Sequence, residues 1–247
     1  MLGFLVLLIF KIKIKHRKMK KLLQLFFATF LLLNGKISAQ SMIDVSVGNS
    51  HQDKFFTNLA YRYAVSDKFR IGAEFQYGVP KYRLIEAKPI REGYAATIGV
   101  PLTLRLYDKD QIRLDLYAKP GLRFQGVLDP DKNDIRDSLL NSTAFSFEAG
   151  LLITAKVNEK LNLQSGVTFP LFYQIKPSAI FENIYPGLLH LGVNYMATEK
   201  STVFAKTAFG SALGGNGDTQ KFGWSLQGGV RFSIGEKANA NFVEPSF

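Results

Sequence analysis

Downstream of residue 40, apolar side chains recur at every second position, and no window of useful length repeats them at helical spacing. In Phe55 to Val65 the positions Phe55, Thr57, Leu59, Tyr61, Tyr63 and Val65 oppose Phe56, Asn58, Ala60, Arg62 and Ala64. In Phe69 to Val79 a row of Phe69, Ile71, Ala73, Phe75, Tyr77 and Val79 opposes Arg70, Gly72, Glu74, Gln76 and Gly78. Ile112, Leu114, Leu116, Ala118 and Leu122 likewise oppose Arg113, Asp115, Tyr117, Lys119, Gly121 and Arg123. The same parity runs through Phe145 to Val157, Leu161 to Tyr173, Leu189 to Ala197 and Phe222 to Ile234. A short strand at Ile43 to Val47, one at Tyr94 to Leu106 and one at Val203 to Ser211 bring the expected number to about ten. Most run to about 10–13 residues, longer than the strands of soluble sheets and suited to crossing a bilayer at a tilt.

The connections alternate as well. Ser66-Asp67-Lys68, Asp108-Lys109-Asp110, Asn158-Glu159-Lys160 and Thr198-Glu199-Lys200 are tight charged turns. Between them lie longer links at Gly48 to Lys54, Pro80 to Gly93, Leu128 to Ser142, Gln174 to Pro186 and Gly214 to Lys221. Short turns on one side and long loops on the other describe an all-β, transmembrane, antiparallel up-and-down barrel with its short turns and both termini in the periplasm.

Period two does not say which face points outward, and a soluble barrel with an apolar interior is the alternative. Small residues decide between them. Gly72, Gly78, Gly99, Gly121, Gly150, Gly166, Gly210, Gly223 and Gly229 share the polar face, where a narrow lumen crowded with Arg and Lys needs them. Aromatics of the apolar face also gather near the strand ends in two sets. Phe55, Tyr77, Tyr94, Phe124, Phe145, Tyr173, Phe209, Phe222 and Trp224 lie by the long loops, and Tyr63, Phe69, Tyr195 and Phe232 by the short turns. These are the positions of interfacial girdles.

Charge changes the picture only after it is located. The formal +11 suggests a nucleic-acid binder, but eight of the basic residues precede Gln40, and without them 23 bases face 20 acids, a net +3. Met19-Lys20-Lys21, the apolar run Leu22 to Leu33 and the small-residue end Ser38-Ala39 have the zones of a signal peptide over 1–39, cleaved after Ala39. Its twelve-residue apolar run covers about 18 Å, short of a hydrocarbon core. The preceding stretch from Leu2 to Lys18 is either a long charged region or lies upstream of a true start at Met19. Residues 40–234 then form the barrel and 235–247 a periplasmic tail. With no Cys, neither disulfides nor thiolate metal sites enter the account.

Two junctions carry a resemblance. Ala39-Gln40 and the final strand Gln227-Gly228-Gly229-Val230-Arg231-Phe232-Ser233-Ile234 resemble, respectively, the leader end and the barrel-assembly signal of small Bacteroidota-type outer-membrane β-barrel proteins. In that signal Gln227, Gly229, Phe232 and Ile234 occupy the polar, glycine, aromatic and apolar places. The resemblance implies residence in a Gram-negative outer membrane. Export implies the partners: secretion translocon, periplasmic chaperone, barrel-assembly machinery and outer-membrane lipid, with no nucleic acid and no cofactor.

Lumen parity places Arg62, Arg70, Arg105, Arg113, Lys156 and Arg231 near the short turns as a basic collar, with Glu74, Asp115 and Glu148 as acidic partners. The collar is either an anion-attracting constriction or a set of chains paired with Asp115 and Glu148 inside, and with Asp67, Asp108, Asp110 and Glu159 in the turns, filling the barrel. Asp129-Pro130-Asp131-Lys132-Asn133-Asp134 opens like a calcium loop but has Asp134 where glycine is needed and Leu140 where the closing Glu belongs. Of the two histidines after the leader, His51 sits in a long loop and His190 faces the lumen, so none meets lipid as an acyl-chain hydrolase requires. A His51–Asp53 pair at the rim is the remaining hydrolytic candidate. Gly214-Gly215-Asn216-Gly217 has no helix after it and is a hairpin loop. The expectation is therefore a non-enzymatic outer-membrane barrel, structural or surface-interacting or a narrow passive channel with anion preference. Its rivals are a rim-active hydrolase and a soluble ligand-binding barrel.

Overall fold

The computed structural model describes residues 41–80, 93–127, 141–176, 180–214 and 220–234; the leader, the Asp129–Asp134 loop, the hairpin-loop residues 215–217 and the tail lie outside them. Its segments are β1 (Ser41–Ser50), β2 (Asp53–Ala64), β3 (Phe69–Pro80), β4 (Gly93–Gly99), β5 (Leu102–Lys109), β6 (Ile112–Val127), β7 (Ser142–Lys156), β8 (Leu161–Lys176), β9 (Ile180–Thr198), β10 (Ser201–Gly214) and β11 (Gln220–Ile234). Apart from β4 and β5, which both lie between β3 and β6, each pairs antiparallel with its sequence neighbours, and β1 pairs with β11 from Ser41↔Ile234 to Ser50↔Ser225, so the sheet closes on itself.

β4 and β5 are one strand. Glu74↔Gly99 and Ile71↔Leu102 continue the same register on β3, as Gly99↔Gly121 and Leu102↔Ala118 do on β6. The expected strand Tyr94 to Leu106 is interrupted at Val100-Pro101 because two prolines remove ladder donors at adjacent rungs. Gly72 N–H still reaches the Pro101 carbonyl at 2.8 Å and Val100 N–H the Pro120 carbonyl at 2.9 Å, but neither proline can return the bond. The barrel is thus ten-stranded and all-β among the described residues.

Two other expectations are corrected. The first strand fills Ser41–Ser50 rather than Ile43 to Val47, and the link Gly48 to Lys54 shrinks to His51 and Gln52. Ser50 makes the tight turn possible: its hydroxyl accepts the N–H groups of Gln52 at 3.1 Å and Asp53 at 2.9 Å. The same chemistry closes the charged turns. Asn158 Oδ1 accepts the N–H groups of Lys160 and Leu161, both at 2.9 Å, and Ser66 Oγ those of Lys68 and Phe69 at 3.3 and 3.1 Å. Asp110 turns the β5–β6 hairpin with φ of 59°. Asp110→Val is expected to cost about 1–2 kcal/mol and Asp110→Gly nothing, read as shifts in the urea midpoint of the folded barrel.

Side chains divide by parity as anticipated. Leu106, Leu116, Leu151, Leu163 and Phe169 are exposed on the outer wall, whereas Arg113 and Asp115 have 0% exposure within it. Phe55, Phe145 and Phe222 stand exposed at one end and Tyr195 and Phe232 at the other.

Candidate functional site

The enclosed polar rows form three tiers. Nearest the short turns, Asp44 of β1 stands opposite Arg231 of β11 in the closing register. Arg231 Nε donates to Asp44 Oδ1 at 2.6 Å and Nη2 to Oδ2 at 2.9 Å, a bidentate pair, while Arg62 Nη2 approaches Oδ2 at 3.5 Å. On the opposite wall Arg113 Nε lies 2.9 and 2.8 Å from the two oxygens of Asp115. Arg105 pairs with Asp108 at 2.7 Å. Arg70 is buried on β3, and Lys156 is half-buried at the end of β7. Tyr117, Leu152, Thr154 and Asn194 line the same rows with at most 1% exposure, so this half of the lumen is crowded with side chains.

The middle tier centres on Lys119. Its Nζ lies 2.9 Å from Glu74 Oε1 and 3.4 Å from Glu148 Oε2. Lys119 springs from β6 and Glu74 from β3, with β4 between them, and Gly99 supplies the gap. A Cβ built there would sit 3.1 and 3.2 Å from Cγ and Cδ of Lys119, so the lysine stem crosses β4 where there is no side chain. Glu148 also faces His190 Nε2 at 3.8 Å, and that nitrogen shares a hydrogen bond with Thr168 Oγ1 at 2.6 Å.

Above this tier, toward the long connections, the lumen opens into a cavity of about 200 Å³. Its floor is Glu74, Lys119, Glu148, His190 and Lys206. In its wall Arg123 donates from Nη1 to Gln52 Oε1 at 2.9 Å, faces Asp53 Oδ1 at 3.6 Å, and holds its guanidinium 5.7 Å from the Phe172 ring centre. None of the six collar bases reaches this cavity.

No family model matches the chain, and no curated protein matches it. Solved structures that resemble it are outer-membrane barrels. The translocator domain of the autotransporter NalP from Neisseria meningitidis is 12% identical over 86% of this chain and 94% of its own, with a TM-score of 0.47. An outer membrane channel from Pseudomonas putida F1 is 11% identical over 81% and 96%, with a TM-score of 0.46. The outer membrane protease OmpT from Escherichia coli is 10% identical over 81% and 98%, with a TM-score of 0.41.

The acidic partners distribute differently from expectation. Only Asp115 of the anticipated three meets a collar base, while Glu74 and Glu148 belong to Lys119 one tier higher. Of the turn acids, Asp108 alone pairs with the collar among the described residues. Asp44, Lys119, Arg123 and Lys206, which the sequence reading did not mark as site residues, carry much of the interior chemistry, and their place on inward-facing rows is the signal the sequence holds for them.

The rim pair His51–Asp53 is not assembled. His51 Nδ1 lies 3.2 Å from both the carbonyl and the N–H of Trp224, where the ring extends the β1–β11 ladder, and the Asp53 carboxylate faces Arg123. Thr168, His190 and Glu148 have the composition of a nucleophile, base and orienting acid, but Thr168 and Glu148 address the same nitrogen and Thr168 has no exposure. Among the described residues no group of His, Asp and Glu could hold a metal. In the last strand Gln227 points inward and donates to Ser46 Oγ, Gly229 lies on the lumen face, Phe232 is exposed outside and Ile234 pairs with Ser41.

Proposed function

We propose that this chain is a non-enzymatic outer-membrane barrel that works at the cell surface and is closed to passive flow. The outward apolar rows, bounded at both ends by exposed aromatics, are solvated by acyl chains. The observation that carries the surface role is the crowded half-lumen: Arg113, Asp115, Leu152 and Thr154 on one wall have no accessible surface, and Asp44 and Arg231 on the other have at most 3%, which favours a lumen plugged at that level. Ion pairing explains the collar better than anion attraction does, because Asp44, Asp108 and Asp115 occupy four of its five arginines.

The purified protein in a planar bilayer is expected to show no unitary current in potassium chloride, while its unboiled form migrates anomalously on a gel. Ohmic single-channel steps in the wild type would overturn the closed reading, and a reversal potential favouring chloride would restore the anion channel. Recovery of the protein in the soluble fraction would remove the membrane assignment.

A further inference from the structure

We infer that the 200 Å³ cavity is a binding site for a neutral, polyhydroxylated ligand the size of a monosaccharide, entering from the long-connection side. The inference rests on the surface reading above, since the filled tier bars entry from the short-turn side.

Charge argues first. Lys119 is shared by Glu74 and Glu148, and Arg123 is taken by Asp53 and Gln52. An ion that engaged Lys119, Arg123 or their carboxylates would have to pull one of these buried groups from its partner, and stranding a buried charge is among the costliest changes a protein interior can suffer. A hydroxyl group donates and accepts at once, so it inserts beside such pairs without separating them.

The rest of the wall has the same character. Asn58, Gln76, Ser146 and Gln227 offer amides and a hydroxyl around the floor. Phe172 and Phe56 contribute apolar faces of the kind that pack against the C–H face of a pyranose ring. Size argues last. At the roughly 30 Å³ a water occupies in the liquid, the cavity holds about seven waters, the space of one small ligand rather than of an oligomer.

The test is calorimetric titration of the full barrel in detergent with glucose, galactose and N-acetylglucosamine, beside the charged counterparts glucuronate and glucosamine. Saturable one-to-one binding of a neutral sugar at or below about 1 mM is expected. Ala208→Phe, which adds bulk to the cavity from a residue outside the ion pairs, and Gln76→Leu, which removes amide contacts, should each weaken it at least about tenfold while the barrel stays heat-modifiable. Binding restricted to glucuronate or glucosamine overturns the neutral class. No neutral sugar binding to an intact, heat-modifiable barrel, or binding indifferent to Ala208→Phe, overturns the site. Neither outcome bears on the closed barrel, which the conductance measurement decides separately.

Discussion

Asp44→Ala is expected to destabilise the barrel by about 3–5 kcal/mol. Asp44 is 3% exposed and holds Arg231, itself 2% exposed, through two charge-assisted hydrogen bonds, with Arg62 as a second cation 3.5 Å away. Removing the carboxylate leaves two guanidinium groups facing each other in an enclosed space where solvent cannot replace it. The pair joins residues 187 apart in sequence across the seam that closes the sheet, so the loss falls where the first and last strands meet. Asp44→Asn keeps an acceptor but loses the charge, and a smaller shift follows. Urea unfolding from detergent micelles and from vesicles measures both, and a cycle with Arg231→Met should show strong coupling. A change within about 0.5 kcal/mol of the wild type for Asp44→Ala would mean that the seam holds without its ion pair.

What the sequence makes legible here is parity. Alternation over Phe55 to Val65 or Ile112 to Arg123 assigns each side chain to a face, and the short charged turns between strands order them around the wall. Parity does not say which charges meet. Asp44 and Arg231 pair because an up-and-down barrel must bring its end strands together, a consequence of topology that no local window contains. Lys119 reaches Glu74 across a whole strand because Gly99 leaves a gap, which depends on the diagonal offset between three strands. Prolines are legible as missing donors, yet Pro101 and Pro120 act together only because the register sets their rungs side by side. The cavity was least legible of all, since it depends on which lumen side chains fall short of one another.

Gly229→Val is expected to cost about 3 kcal/mol or more and to deprive the chain of its folded, heat-modifiable form. A Cβ at Gly229 would run into the Val45 carbonyl oxygen across the seam, and would lie 2.5 Å from Ser46 Cβ and 2.7 Å from Phe204 Cζ. Phe204 is 4% exposed, so its ring occupies the notch that the glycine leaves and has little room to swing away. Adding Phe204→Leu should therefore rescue only part of the loss, because the Val45 oxygen is backbone and stays in place. Gly229 is also the glycine of the assembly motif, and refolding from urea into detergent, without any assembly machinery, separates the two roles. If the residue served recognition alone, the valine variant would refold with the wild-type yield and midpoint. If the notch is what matters, refolding fails in the purified system too, while changes at Phe232, which faces outward, leave it intact.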